Sequence, residues 1–270
     1  MLLESAPQWL LGLVAAFLFG FSKTGIAGIG IVGVALMAMA VPAGEARQSV
    51  GLVLPVLIFC DLFAVAYYRR HAQWRYLAAL MPAALVGIGI GWWLMDMLGD
   101  SGMKEAVDDA MRYVIGGIVI VLVGFSVVTK RYEAFSNWLQ QHRLAAAGVG
   151  VAAGITTMLA NAAGPIMAVY LLAMGLPKFR FIGTAAWYFL ILNWVKVPLM
   201  AEQGIITADS LKTDLFLFPG ALVGVCFGIF VLKRITQKSF EGSVATFAAL
   251  AGLMLIFKPQ VIEFFQRLMG

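Results

Sequence analysis

The sequence predicts an all-α integral membrane fold built as two inverted repeats, each a re-entrant helical hairpin followed by three transmembrane helices. Three observations lead there: an extreme apolar composition, a duplicated order of short blocks, and loop charges that alternate along the chain. Of the 270 residues, 62% are hydrophobic and only 12% charged, with a mean hydropathy of +0.92. Soluble domains carry about 25% charged residues. A bilayer span needs about 20 apolar residues, and six segments fit: 48–68, 76–95, 112–129, 181–200, 214–232 and 240–257. Two apolar stretches, 9–41 and 144–176, are too long and too broken by glycine for one simple span.

The duplication is visible in two blocks. MPAALVGIGIG at 81–91 matches FPGALVGVCFG at 218–228 in six of eleven positions, including Pro82 with Pro219 and Gly87 with Gly224. ALMAMAVP at 35–42 matches YLLAMGLP at 170–177 in four of eight. Without gaps, the second match pairs Ser22 with Thr157 and Asp61 with Lys196. The first repeat is therefore 1–130 (hairpin 9–41 and three spans) and the second 143–258 (hairpin 144–176 and three spans), within one transmembrane domain. Duplication is the usual construction of secondary transporters.

Loop charge sets the handedness of the duplication. Residues 69–75 carry three Arg and no acid, 96–112 five acids and two bases, and 130–143 three bases and one acid. In the second half, Lys178 and Arg180 precede a span, 202–214 carry three acids and one base, and 233–238 three bases. If 144–176 dips into the membrane and returns, the inside loops hold eleven Lys/Arg against six outside. If it crosses once, the split is nine against eight. The positive-inside rule prefers the hairpin. Two half-helices of about 13 residues reach about 20 Å each, short of the ~30 Å hydrocarbon core. With three spans per repeat, an odd number, the halves are inverted; one long discontinuous helix per half would make them parallel.

The net charge of +5 does not point to nucleic acid, because the basic residues sit in short loops with no basic domain behind them. Cys60 and Cys226 both fall in spans and read as small buried apolar residues. No metal-ligand cluster and no activated nucleophile is recognisable, so neither a cofactor, a metal nor an enzyme activity is expected. His71 and His142 fall in predicted inside loops.

The chemistry concentrates at the two breaks. The first, Phe19 to Gly30, reads FGFSKTGIAGIG and sets Ser22, Lys23 and Thr24 between charge-free apolar segments. A lysine at membrane depth is costly and points to function. Gly25, Gly28 and Gly30 let backbone approach a ligand closely. The second break, Gly154 to Pro165, reads GITTMLANAAGP. It offers Thr156, Thr157 and Asn161 as donors, with Gly164 and Pro165 suited to the first turn of the returning helix. Inverted repeats bring two such tips together near the midplane, where half-helix N-termini face an anion. Against this stand ordinary roles: threonines bonding their own helix, glycines packing, and Lys23 snorkelling.

Asp61 and Lys196 lie within spans at matched positions, which suggests an ion pair, either structural or a proton- or substrate-linked gate. Asn193, Arg47 and Gln48, with Trp187 and Tyr188, are further candidates for lining the pathway.

The first break, the Asn161 to Pro165 break and the duplicated layout of about 270 residues together resemble the sulfite exporter TauE/SafE family of membrane permeases. The resemblance implies a multi-pass protein of the bacterial cytoplasmic membrane that moves sulfite, sulfonates such as sulfoacetate, or related small anions, mostly outward. It implies that Ser22, Lys23, Thr24, Asn161 and the neighbouring glycines line the anion site. The expected partners are a small anion and the lipid bilayer, with proton coupling motivated by Asp61. Homodimers are common among such folds. The rival readings are a permease for a non-sulfur anion such as a carboxylate, a scaffold or assembly factor without substrate, and a passive channel.

Overall fold

The computed structural model describes residues 3–41, 46–99 and 143–251. The expected span 112–129, the last residues of the span 240–257 and His142 lie outside these residues. Within them the regular structure is helical. Helix α1 (Ala6–Thr24) and α2 (Gly30–Ala40) flank the first break; α3 (Ala46–Tyr68) leads through a short 3-10 turn at Arg69–His71 into α4 (Trp74–Gly99). Helix α5 (Arg143–Ala160) and α6 (Gly164–Ala173) flank the second break, followed by α7 (Lys178–Glu202), α8 (Ala208–Arg234) and α9 (237–251). Among the described residues, five helices are long and apolar enough to cross a membrane: α1, α3, α4, α7 and α8. The chain is a multi-pass membrane protein.

The ends of these helices follow from local chemistry. Ser5 and Gln8 form a capping box at the start of α1, and Thr207 and Ser210 form one at the start of α8. Such caps satisfy N–H groups that a helix end leaves free. Pro165 sits in the first turn of α6, where its missing N–H removes no bond.

The first break makes a closed hairpin. A Cβ on Gly30 would lie 3.0 Å from Ser22 Oγ, and one on Gly33 would lie 2.8 Å from the Phe19 ring and 3.0 Å from Ala15 O. Rising numbers on α2 meet falling numbers on α1, so the arms are antiparallel. The arms are unequal, contrary to the expectation of two similar halves. Helix α1 has 19 residues and α2 has 11; α5 has 18 and α6 has 10. At 1.5 Å per residue the first arms reach about 28 Å, because the glycine of the break stands at position 25 rather than midway. Helix α6 also turns back: Tyr170 packs edge-on against Tyr76 at 6.5 Å, near the end of α4 beside which α5 begins.

Two helix pairs join the first half of the chain to the second. Helix α1 lies against α8 and runs parallel to it, with Trp9 on Phe216, Gly20 on Ala221 and Gly25 on Gly228. Helix α5 lies against α4 and is also parallel, with Gly150 on Leu80, Gly154 on Ala84 and Met158 on Gly91. The closest approaches come in matched pairs. A Cβ on Gly20 would stand 2.1 Å from Ala221 O, and one on Gly154 2.1 Å from Ala84 O. A Cβ on Gly224 would stand 2.0 Å from Phe17 O, and one on Gly87 2.2 Å from Val151 O. Backbone approach of this kind rests on van der Waals packing and Cα–H···O contacts, which replace the hydrophobic effect inside a bilayer.

At the centre, α3 and α7 cross antiparallel: Gly51 meets Ile205, Asp61 meets Asn193, and Gln73 N–H donates to Thr184 Oγ1 at 2.9 Å. The outer faces of α4 and α8 are apolar and exposed, with Val86, Trp93, Leu215 and Val223 outward, as helices facing lipid require. Cys60 is buried but Cys226 is exposed on α8, a correction to its expected burial.

Candidate functional site

The two breaks and the crossing of α3 and α7 enclose a cavity. Its volume open to water centres is about 60 Å3, several times the ~10–15 Å3 that one water needs, so a small oxyanion fits. Eight of the residues expected at the site lie on its wall: Ser22, Lys23, Gly28 and Gly30 from the first break, and Thr157, Asn161, Gly164 and Pro165 from the second. Helices α2 and α6 both begin there. Their N-termini carry no side-chain cap, and this is the end of a helix that favours an anion. Gly28, at φ +99°, makes the sharp turn into α2, and Asn161, at φ 51°, the one into α6.

The charges are partnered differently from the expectation. Asp61, fully buried, pairs with Lys23, whose Nζ lies 2.9 Å from Oδ1 and 3.1 Å from Oδ2. Asn193 Nδ2 donates to the same carboxylate at 2.7 Å. Lys23 also sits 3.9 Å from the centre of the Phe189 ring, a cation–π contact. Lys196 has no carboxylate partner among the described residues. It donates to Thr157 O and Oγ1, both at 3.1 Å, and to Asn161 Oδ1 at 2.5 Å. The expected Asp61–Lys196 pair is therefore replaced by two contacts, each between a central helix and a break. The physical reason lies in where the breaks end: α7 presents Asn193 rather than Lys196 to Asp61, and the ends of α1 and α5 bring Lys23 to the carboxylate and Thr157 with Asn161 to Lys196.

Three expected site residues belong elsewhere. Thr24 is buried in the α1–α8 interface, its Oγ1 within 2.9 Å of both Gly20 O and Val225 O. Gly25 packs there too, against Gly228. Thr156 donates to Ala152 O of its own helix at 2.6 Å, the ordinary role of a threonine in a membrane helix. Asn193 lines the cavity. Trp187 does not; it packs against Trp74 at 5.3 Å. Nor does Tyr188, which is buried edge-on to Phe189. The side chains of Arg47 and Gln48 lie outside the described residues. Ser22 Oγ has no hydrogen-bond partner among the described residues and stands beside Gly30, at the cavity wall.

Sequence reading missed the wall that α7 supplies: Ile182, Ala185, Ala186 and Phe189. The signal was present, since stepping back from Asn193 by four, seven, eight and eleven residues marks one helical stripe.

The sequence matches the family described as Sulfite exporter TauE/SafE over residues 10–255, nearly its whole length. The chain belongs to that family. No curated protein and no solved structure matches. As a TauE/SafE protein it is a membrane transporter of sulfite or related anions. The cavity residues then make separable predictions. Ser22→Ala is expected to weaken anion binding about three- to tenfold, the worth of one hydrogen bond, with little change in stability. Thr24→Val is expected to lower stability by about 1 kcal/mol through its interface bond to α8. Titration of a sulfite-binding signal alongside thermal midpoints checks both.

Proposed function

We propose that this TauE/SafE protein is a secondary transporter that exports sulfite or a small organosulfonate such as sulfoacetate. The observation that carries the reading is the convergence of both helix breaks on one small cavity. There an ammonium, a free serine hydroxyl, a threonine, an asparagine and two helix N-termini share the wall. A three-oxygen anion uses several convergent donors at once, which suits this wall better than a flat carboxylate. A scaffold has no use for such groups at membrane depth. The outward direction rests on the family.

The reading extends to architecture. The chain is two inverted repeats, each carrying its break into the bilayer as a re-entrant hairpin. The matched glycine contacts and the antiparallel crossing of α3 and α7 support this. Alternating access then amounts to rocking one repeat against the other around the cavity. Asp61, buried against Lys23, is the proton carrier in this scheme. Its protonation offsets the second charge of a dianion.

The test is thermal stabilisation of the purified protein by sulfite, sulfoacetate, taurine, sulfate, phosphate and acetate, followed by flux in proteoliposomes. A shift selective for sulfite or sulfoacetate, with matching flux, is the expected result. A larger response to acetate would transfer the assignment to a carboxylate permease, and no response with no flux would leave the scaffold reading.

A further inference from the structure

Lys196 is a fully buried lysine that no carboxylate neutralises among the described residues. The matched contacts show how this arises. Gly20 with Gly154 and Phe17 with Val151 set the numbering shift between α1 and α5 at 134. On that shift Lys23 corresponds to Thr157, one residue away from the gap-free pairing of Ser22 with Thr157. Asp61 corresponds to Lys196 on the shift of 135 carried by the repeat blocks at 35–42 and 170–177. Asp61···Lys23 and Lys196···Thr157 are thus the same contact in the two halves. The first half holds a cation and an anion. The second holds a cation and a neutral hydroxyl.

We propose that Lys196, though it does not touch the cavity, supplies the uncompensated positive charge that retains the anion and fixes the direction of two cavity donors. This rests on the anion-site reading above. Three hydrogen-bond facts support it. Thr157 Oγ1 accepts from Lys196 at 3.1 Å and makes no bond to its own helix, unlike Thr156 and Thr24. Its own proton therefore points away from the ammonium, and Thr157 lies on the cavity wall. Asn161 Oδ1 accepts from Lys196 while its Nδ2 donates to Val50 O at 3.1 Å. The amide cannot flip without setting Nδ2 against an ammonium, so its second N–H remains for the cavity. Lys196 Nζ faces three oxygens, one for each N–H of an ammonium, and Lys23 is compensated by Asp61, so the three groups sum to a single positive charge. Lys196 is a positioning residue: it acts through Thr157 and Asn161 and through its field, which is weakly screened where no water enters.

The experiment measures sulfite and sulfoacetate affinity of the full chain in nanodiscs for the wild type, Lys196→Met, Lys196→Met/Asp61→Asn, Lys196→Arg and Lys196→Gln. Lys196→Met is expected to lose about ten- to hundredfold in affinity, the order expected for losing one weakly screened unit charge close to the anion. Adding Asp61→Asn restores the single positive charge, now on Lys23, and is expected to recover roughly tenfold of the loss. A lysine that merely staples α5 to α7 predicts equal affinity in the charge-keeping Lys196→Arg and the neutral Lys196→Gln, and equal affinity in that folded pair overturns the proposal. Should Lys196→Met not fold, Lys196→Gln replaces it: weaker sulfite binding than in Lys196→Arg supports the charge, and equal binding overturns it. A wild type that binds neither probe instead overturns the anion reading itself, and this inference with it.

Discussion

Replacing Lys23 with alanine is expected to destabilise the protein by about 3–5 kcal/mol, the usual result of leaving one member of a buried ion pair alone. Asp61 has no exposed surface, and its other contact is a single amide N–H from Asn193. Removing Lys23 strands a fully buried carboxylate that keeps one amide N–H as its hydrogen-bond donor. The Lys23→Ala variant is therefore not a clean probe of anion binding, because lost binding would be confounded with lost structure. Pairing it with Asp61→Asn is expected to return most of the stability, since the amide needs no counter-charge and Asn193 can still bond it. Thermal midpoints of the single and double variants, measured in one detergent, check this. A single variant as stable as wild type would mean that the Asp61–Lys23 pair adds nothing to the fold.

The second large effect concerns the four glycines that join α1 to α8 and α4 to α5. Alanine at Gly20, Gly87, Gly154 or Gly224 would put its Cβ within about 2.2 Å of a backbone oxygen in the facing helix, and backbone cannot rotate out of the way. The cost is expected at or above the top of the ~1–3 kcal/mol typical of overpacking. The four variants should fail alike, because the contacts are matched in pairs across the two halves. Gly89 and Gly148 are the controls. Both are helical and have nothing within 4 Å of the place a Cβ would take. Alanine there should be neutral or stabilising by up to ~1 kcal/mol, from helix propensity alone. The fraction recovered as a monodisperse species after extraction, together with the thermal midpoint, reads both sets. Equal behaviour of the two sets would show that the helices do not approach as closely as described.

Much of this was legible in the chain. Hydropathy alone marks α3, α4, α7 and α8, because a bilayer leaves the backbone no alternative to helix. Glycine and proline chemistry marks both breaks: Pro165 opens α6, and the glycine-rich run after Thr24 ends α1. The blocks around Pro82 and Pro219 mark the helices against which α5 and α1 pack. All of these are local properties, or repetitions of a local property, and a sequence carries them openly.

The orientation of individual side chains was decided only by tertiary packing. Ser22, Lys23 and Thr24 are adjacent and chemically similar as site candidates, yet successive helical residues point about 100° apart. Once α8 claims one side of α1, Thr24 faces that interface and Ser22 and Lys23 face the cavity. The partner of Asp61 is settled the same way. Repeat matching sets Asp61 and Lys196 at corresponding positions, but correspondence does not bring two groups together. The ends of α1 and α5 deliver Lys23 to one and Thr157 with Asn161 to the other. The sequence by itself determined the membrane class, the breaks and the family. The three-dimensional arrangement decided which lysine meets a carboxylate and which meets neutral oxygens, because that depends on distances of a few ångströms between segments more than thirty residues apart.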